Sequence, residues 1–151
     1  MGLVYAAVAP HGSMTIAEAC SSDQLALAAV TRAAMEELGR RFDAARPEAV
    51  IVLTPHNVHV EGSMAVVAAG FVAGALSDTT QAGETARSVG LRSPTDRELA
   101  AACLRELRTA RIEARAISFG GNDATSAVMP MDWAVLVPLW FLGGRQRIGP
   151  R

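Results

Sequence analysis

The sequence predicts an α/β domain, a three-layer sandwich with helices on both faces of a mostly parallel central sheet. Three observations carry that expectation. Two apolar runs, Leu3–Ala9 and Ala49–Thr54, are each closed by a proline. A stretch of helical periodicity lies between them, and strand-like and helix-like segments alternate after them.

Leu3–Ala9 is continuously apolar up to Pro10 and reads as a buried strand. Ser21 with Gln24 three residues on fits a capping box. Leu27, Val30, Ala34, Leu38 and Phe42 then recur at helical spacing, and Pro47 lies beyond the end. Ala49–Thr54, rich in β-branched residues, is the second strand. Strand, helix and strand in that order make a βαβ unit with adjacent parallel strands and a right-handed crossover.

Ser63–Leu76 reads as one or two strands broken at Gly70 and Gly74. Ser77–Arg92 is polar and irregular and reads as a surface loop or lid. Ser93-Pro94-Thr95-Asp96 starts a helix, with Ser as the cap and Pro in its first turn. That helix carries Leu99, Cys103, Leu107 and Ala110 on one face. Ala114–Phe119 is a third short strand, Gly120, Gly121 and Asn122 form a plain turn, and Met131–Leu142 reads as a closing helix.

Composition narrows the function classes. The 151 residues suit one domain; half are apolar, 19% charged and 5% aromatic, which excludes a disordered chain, a collagen-like repeat and a disulfide-dense mini-protein. A net charge of −1, with its arginines scattered, gives no electrostatic footprint for nucleic acid or acidic membrane. Cys20 and Cys103 make no framework and read as small buried hydrophobes in a reducing compartment. The N-terminus lacks a charged leader pattern, and Met64–Leu76 is shorter than the roughly 20 apolar residues that cross a bilayer. A cytoplasmic location is expected, with neither nucleic acid nor membrane as partner.

The chain has three histidines, and two occupy matching places: His11 after Val8-Ala9-Pro10 and His56 after Leu53-Thr54-Pro55. Ligands of open parallel sheets bind outside the carboxyl ends of the strands, and adjacent strands lie about 4.8 Å apart. Two histidines just past such ends can converge on one metal ion, for which imidazole and a carboxylate are suitable donors. Nearby carboxylates are Glu18, Glu61, Asp123 and Asp132. The alternative is that these are polar residues on loop tips. His59, three residues after His56, is either a supporting base or a bystander. Trp133 and Trp140, seven apart, suit one face of a helix core.

Pro10-His11-Gly12, Thr54-Pro55-His56, and Met131-Asp132-Trp133 running into Val137-Pro138-Leu139-Trp140-Phe141-Leu142 resemble the class III extradiol ring-cleavage dioxygenases of the LigB type. Asp96–Leu104 is similar to the helix between the second His and the last motif of that family. The resemblance extends from the first strand to Leu142. It implies a LigB-like domain over 1–142, whole or as its N-terminal part, with 143–151 as a tail. It also implies a non-haem Fe(II) site with His11 and His56 as ligands, a catechol-like or aminophenol-like aromatic substrate, O₂ as co-substrate, and a nearby His as acid/base.

Two departures bear on that site. The family's third ligand is a Glu far toward the C-terminus, and no residue here matches it. The carboxylate would come from sequence beyond this chain, from a second copy or partner chain, or from Glu61 or another local group; a non-catalytic site is the remaining alternative. The family often has Asp-His where this chain has Asp132-Trp133, and Trp cannot transfer protons, which leaves His59 for that task. Two rival functions stand beside the dioxygenase. One is a Memo-like protein with the same fold and an accessory or metal-binding role; the other is a zinc-dependent hydrolase, since two His and a carboxylate also suit Zn²⁺. The apolar PLWFL segment makes an oligomer or a partner chain expected.

Overall fold

The structure is a computed structural model that describes residues 2–77, 88–120 and 122–144. It is mixed α/β and divides into two compact units. The first comprises Met1–Thr54, Gly74–Leu91 and Asp132–Arg151, the second Pro55–Ala73 and Arg92–Met131. No helix among the described residues is long and apolar enough to cross a membrane.

In the first unit, helix α1 (Ala29–Ala45) ends at Arg46, which takes the left-handed conformation (φ 48°, ψ 54°). The Ser21–Gln24 pair does not start it. Tight turns come first, with Gln24 N donating to Ser21 O, Leu27 N to Gln24 O and Ala29 N to Ala26 O. The carbonyl of Leu25, which an α-helix would offer to Ala29, instead accepts from the Arg32 guanidinium at 3.1 Å. The buried face also differs from the predicted stripe. Ala28, Met35 and Gly39 point inward, whereas Leu27 and Val30 are 76% and 86% exposed. Gly39 is obligatory for this packing, since a Cβ there would lie 2.4 Å from the Phe141 carbonyl oxygen.

Helix α2 (Arg97–Thr109) belongs to the second unit, and helix α3 (Trp133–Leu139) to the first, where it is capped by Asp132, whose carboxylate accepts from Ala134 N and Val135 N. It passes into a single wide turn, Trp140–Gly144, broken by non-helical backbone at Leu142 and Gly143. The predicted closing helix is therefore present but shorter. Trp140 is buried and Trp133 is 46% exposed, so the two do not share a core face. Ile16, Cys20, Met35, Leu136 and Val137 form the most deeply buried part of this unit.

Leu3–Ala9 and Ala49–Thr54 depart from expectation. Neither joins a strand ladder among the described residues, and Leu3, Val8, Ile51 and Leu53 are exposed. An apolar run becomes a buried strand only where a neighbour pairs its backbone and covers its side chains. Tyr5 is the anchored residue of the first run. Its ring meets Phe42 edge-on, with centroids 6.1 Å apart, and its hydroxyl donates to Leu38 O.

In the second unit, β1 (Met64–Val67) pairs in parallel with β4 (Ala114–Ile117), in register from Met64↔Ala114 to Val67↔Ile117. A three-stranded sheet, which the unit bounds divide after Ala73 in β2 and after Leu91 in β3, has the order β3-β2-β5, where β2 is Phe71–Ser77, β3 is Ser88–Pro94 and β5 is Val128–Pro130. β2 and β5 are parallel, from Phe71↔Val128 to Ala73↔Pro130. The predicted break at Gly70 separates β1 from β2, while Gly74 sits inside β2. Of the predicted loop Ser77–Arg92, residues 78–87 lie outside the described residues and Ser88–Arg92 is strand. Its signal is an alternation in which Val89 and Leu91 are buried between exposed Ser88, Gly90 and Arg92.

Helix α2 (Arg97–Thr109) packs on β1 and β4. Its cap is Asp96, whose carboxylate accepts from Leu99 N at 2.9 Å, and not Ser93, which with Pro94 belongs to β3. Leu104 is its buried residue, flanked by half-buried Leu99, Cys103 and Leu107, while Ala110 is exposed. Ala69, Ala127 and Met129 form a buried cluster on which Val58, Val67, Val72 and Ile117 pack.

Candidate functional site

The two proline-histidine turns are built differently. Pro10 fixes the backbone before His11, which is half-buried. Gly12 is extended (φ −65°, ψ 126°), and the chain then tightens into short 3₁₀ turns at Ser13–Thr15 and Ala17–Ala19. The Gly12 carbonyl accepts twice from Thr15, from its amide at 3.0 Å and its hydroxyl at 2.7 Å. Arg32 Nε donates to Thr15 O at 3.1 Å and Arg32 Nη2 to Met14 O at 3.0 Å. Cys20 Sγ adds a contact to Met14 O at 3.2 Å. Thr15, Ile16 and Cys20 are buried, so this turn is packed as well as hydrogen-bonded.

His56 is exposed, and Asn57 after it takes a left-handed backbone (φ 79°). Asn tolerates that conformation better than most residues. Val58 is half-buried on the Ala69, Ala127 and Met129 cluster, and His59 points to the surface again. Ser63 N donates to Val60 O, closing a turn in which Gly62 also has positive φ (66°) and Glu61 is exposed. His56 and His59 thus flank the anchoring Val58.

Asp132 caps α3, and Asp123 accepts from the Thr125 amide at 2.9 Å and its hydroxyl at 2.5 Å. The Thr125 hydrogen bonds, aided by the charge of Arg97, hold the Asp123 carboxyl below its ordinary range. Glu18, half-buried, and Glu61 are the other two candidate carboxylates. His11, Glu18 and Asp132 fall in the first unit, and His56, His59, Glu61 and Asp123 in the second. Among the described residues, no three His, Cys, Asp or Glu side chains form a group that could hold a metal ion. Imidazole and carboxylate are donor types that suit a first-row metal, and among the described residues they are not assembled into such a group.

Arg32 and Asn57 escaped the sequence reading. A guanidinium bound to carbonyls leaves no spacing pattern, whereas an Asn directly after Pro-His is a readable turn signal.

The described residues thus form a mixed α/β architecture that carries a histidine on each of two proline-led turns. The family described as the catalytic LigB subunit of aromatic ring-opening dioxygenase matches residues 5–148. The chain belongs to that family. No curated protein matches it.

Proposed function

We propose that the protein is a non-haem Fe(II)-dependent extradiol dioxygenase that opens the ring of a catechol-like or aminophenol-like aromatic with O₂. The observation that carries this reading is the family match, which spans both proline-histidine turns and Asp132-Trp133. His11 and His56 would hold the metal, with Zn²⁺ as the alternative ion. When bound, the metal would orient the aromatic and O₂ and lower the barrier to electron transfer between them. His59 would hold and release the proton, since imidazole is the side chain suited to that role near neutral pH and Trp133 has no transferable proton on a basic nitrogen. The third ligand would be a carboxylate from Glu61, from Glu18, or from a second copy or partner chain. Exposed Leu3, Val8, Ile51 and Leu53 support such an assembly in a cytoplasmic setting. The same reading extends the fold to the three-layer sandwich of the sequence expectation.

The test is anaerobic reconstitution with Fe(II), followed by catechol and O₂, with bound iron assayed beside the yellow ring-opened product. The expected result is about one iron per chain, with product. His11→Ala and His56→Ala should each cut iron affinity by at least about tenfold, the loss that follows even removal of a ligand's supporting partner. Iron binding unaffected by His11→Ala would overturn the assignment.

A further inference from the structure

We infer that Arg32 is the positioning residue for His11. Its guanidinium presents three separate N–H groups to three carbonyls. Nε takes Thr15 O at 3.1 Å, Nη2 takes Met14 O at 3.0 Å, and Nη1 takes Leu25 O at 3.1 Å. The first two lie on the turn that follows His11, and the third lies on the turns that lead into α1. One planar group therefore ties the histidine-bearing turn to the beginning of a 17-residue helix.

The restraint passes inward in two short steps. Arg32 holds Met14 and Thr15 by their carbonyls, and Thr15 holds the Gly12 carbonyl by both its amide and its hydroxyl. Gly12 is bonded directly to His11, and Pro10 restricts the backbone on the other side. The backbone that carries the imidazole is thereby held on both sides. Thr15 is 3% exposed with the guanidinium in place, and removal of the guanidinium deprives its carbonyl of a charged donor. Lysine cannot substitute, because its ammonium is a single nitrogen and cannot reach three carbonyls set at the corners of a guanidinium plane.

The importance of that restraint for metal binding rests on the dioxygenase reading; the clamp itself does not. The experiment uses the full chain with Arg32→Met, which keeps the apolar stem, and Arg32→Lys, which keeps one donor nitrogen. Amide hydrogen exchange is read at Thr15, Ile16, Ala19 and Cys20, with the α1 amides around Gly39 as the internal reference. Co(II) binding is titrated in the same variants, beside His11→Ala.

Arg32→Met should speed exchange at the four turn amides about tenfold while α1 stays protected, and weaken Co(II) binding by about 10- to 100-fold, as loss of ligand support does elsewhere. Arg32→Lys should fall between Met and the wild type, and it carries the comparison alone if the Met variant does not fold. Unchanged exchange at the turn overturns the inference. So does a released turn with Co(II) affinity intact while His11→Ala destroys it. If His11→Ala leaves Co(II) affinity unchanged, the dioxygenase reading fails at its own ligand, and turn exchange by itself decides whether Arg32 is the clamp.

Discussion

Pro10-His11 and Pro55-His56 are the same dipeptide held by different physics. The first is followed by 3₁₀ turns whose carbonyls are taken by one guanidinium and whose side chains are buried. The second is followed by a left-handed Asn57 and depends on one apolar residue, Val58, seated on a small cluster. Hydrogen bonds from a charged donor fix direction, whereas apolar packing fixes depth and leaves orientation softer.

The largest break in that contrast should come from Gly70→Ala. A Cβ at Gly70 would lie 1.8 Å from the Thr125 carbonyl oxygen, and Gly70 N donates to Ala124 O at 2.7 Å, so backbone would have to move. Overpacking of this kind costs about 3 kcal/mol or more where the obstacle cannot rotate away. Ala69 immediately precedes Gly70 and belongs to the cluster under Val58, so the second turn loses its seat. Denaturant unfolding should show the loss. In the remaining folded population, His56 and His59 imidazole NMR signals should shift while that of His11 stays in place. A stability within error of wild type would mean that Thr125 yields readily and that the second turn is not anchored this way.

How much of this could be read beforehand varies with the kind of interaction. The break at Gly70 and the short strand from Ala114 follow from residue type, because few residues other than Gly permit so close an approach of backbones. The existence of α1 follows from periodicity, but its buried face does not. Leu27, Val30 and Ala34 describe an apolar stripe as well as Ala28, Met35 and Gly39 do, and tertiary contacts such as that of Gly39 with the Phe141 carbonyl select the second. Leu3–Ala9 illustrates the opposite error, since hydrophobicity alone cannot supply the neighbouring strand that burial requires. The alternation of Val89 and Leu91 was available but short, and polar flanks masked it. At the candidate site, the two proline-histidine turns are legible from their neighbours. Arg32 is not, since 17 residues separate it from Thr15 and its partners are backbone atoms common to any sequence.

A smaller effect should sharpen the contrast at Asn57. With φ at 79°, replacement by Ala costs up to about 1 kcal/mol, because Ala keeps the Cβ that crowds the carbonyl in left-handed backbone but lacks the short polar side chain whose local hydrogen bonding offsets it in Asn. Asn57→Gly removes that crowding and should stay within about 0.5 kcal/mol of wild type. Both variants should perturb the His56 and His59 signals more than that of His11. Equal losses for Ala and Gly would show that the Asn57 side chain, rather than its backbone setting, holds the turn.

The smallest effect, and the one with a defined pH signature, concerns Asp123. It holds Thr125 through the amide and the hydroxyl, and the Thr125 carbonyl is the group that faces Gly70. The Thr125 hydroxyl and then its amide favour the ionised carboxylate, as does the charge of Arg97, and they prevail over desolvation, so the folded-state pKa is lowered from 3.8. A depressed carboxylate pKa means that the unfolded chain takes up the proton first as acid is added. The contribution to stability is then complete above the ordinary value and declines as pH falls through it toward the lowered one. Asp123→Asn keeps one acceptor for the Thr125 amide but removes the charge. The melting temperature of wild type should therefore exceed that of Asp123→Asn near neutral pH, and the gap should close as pH is taken down through 3.8. Other carboxylates titrate in both proteins and cancel in the difference. A gap that stays constant into acid would show that the carboxylate acts on Thr125 by shape alone, leaving the seat of the second histidine turn independent of charge.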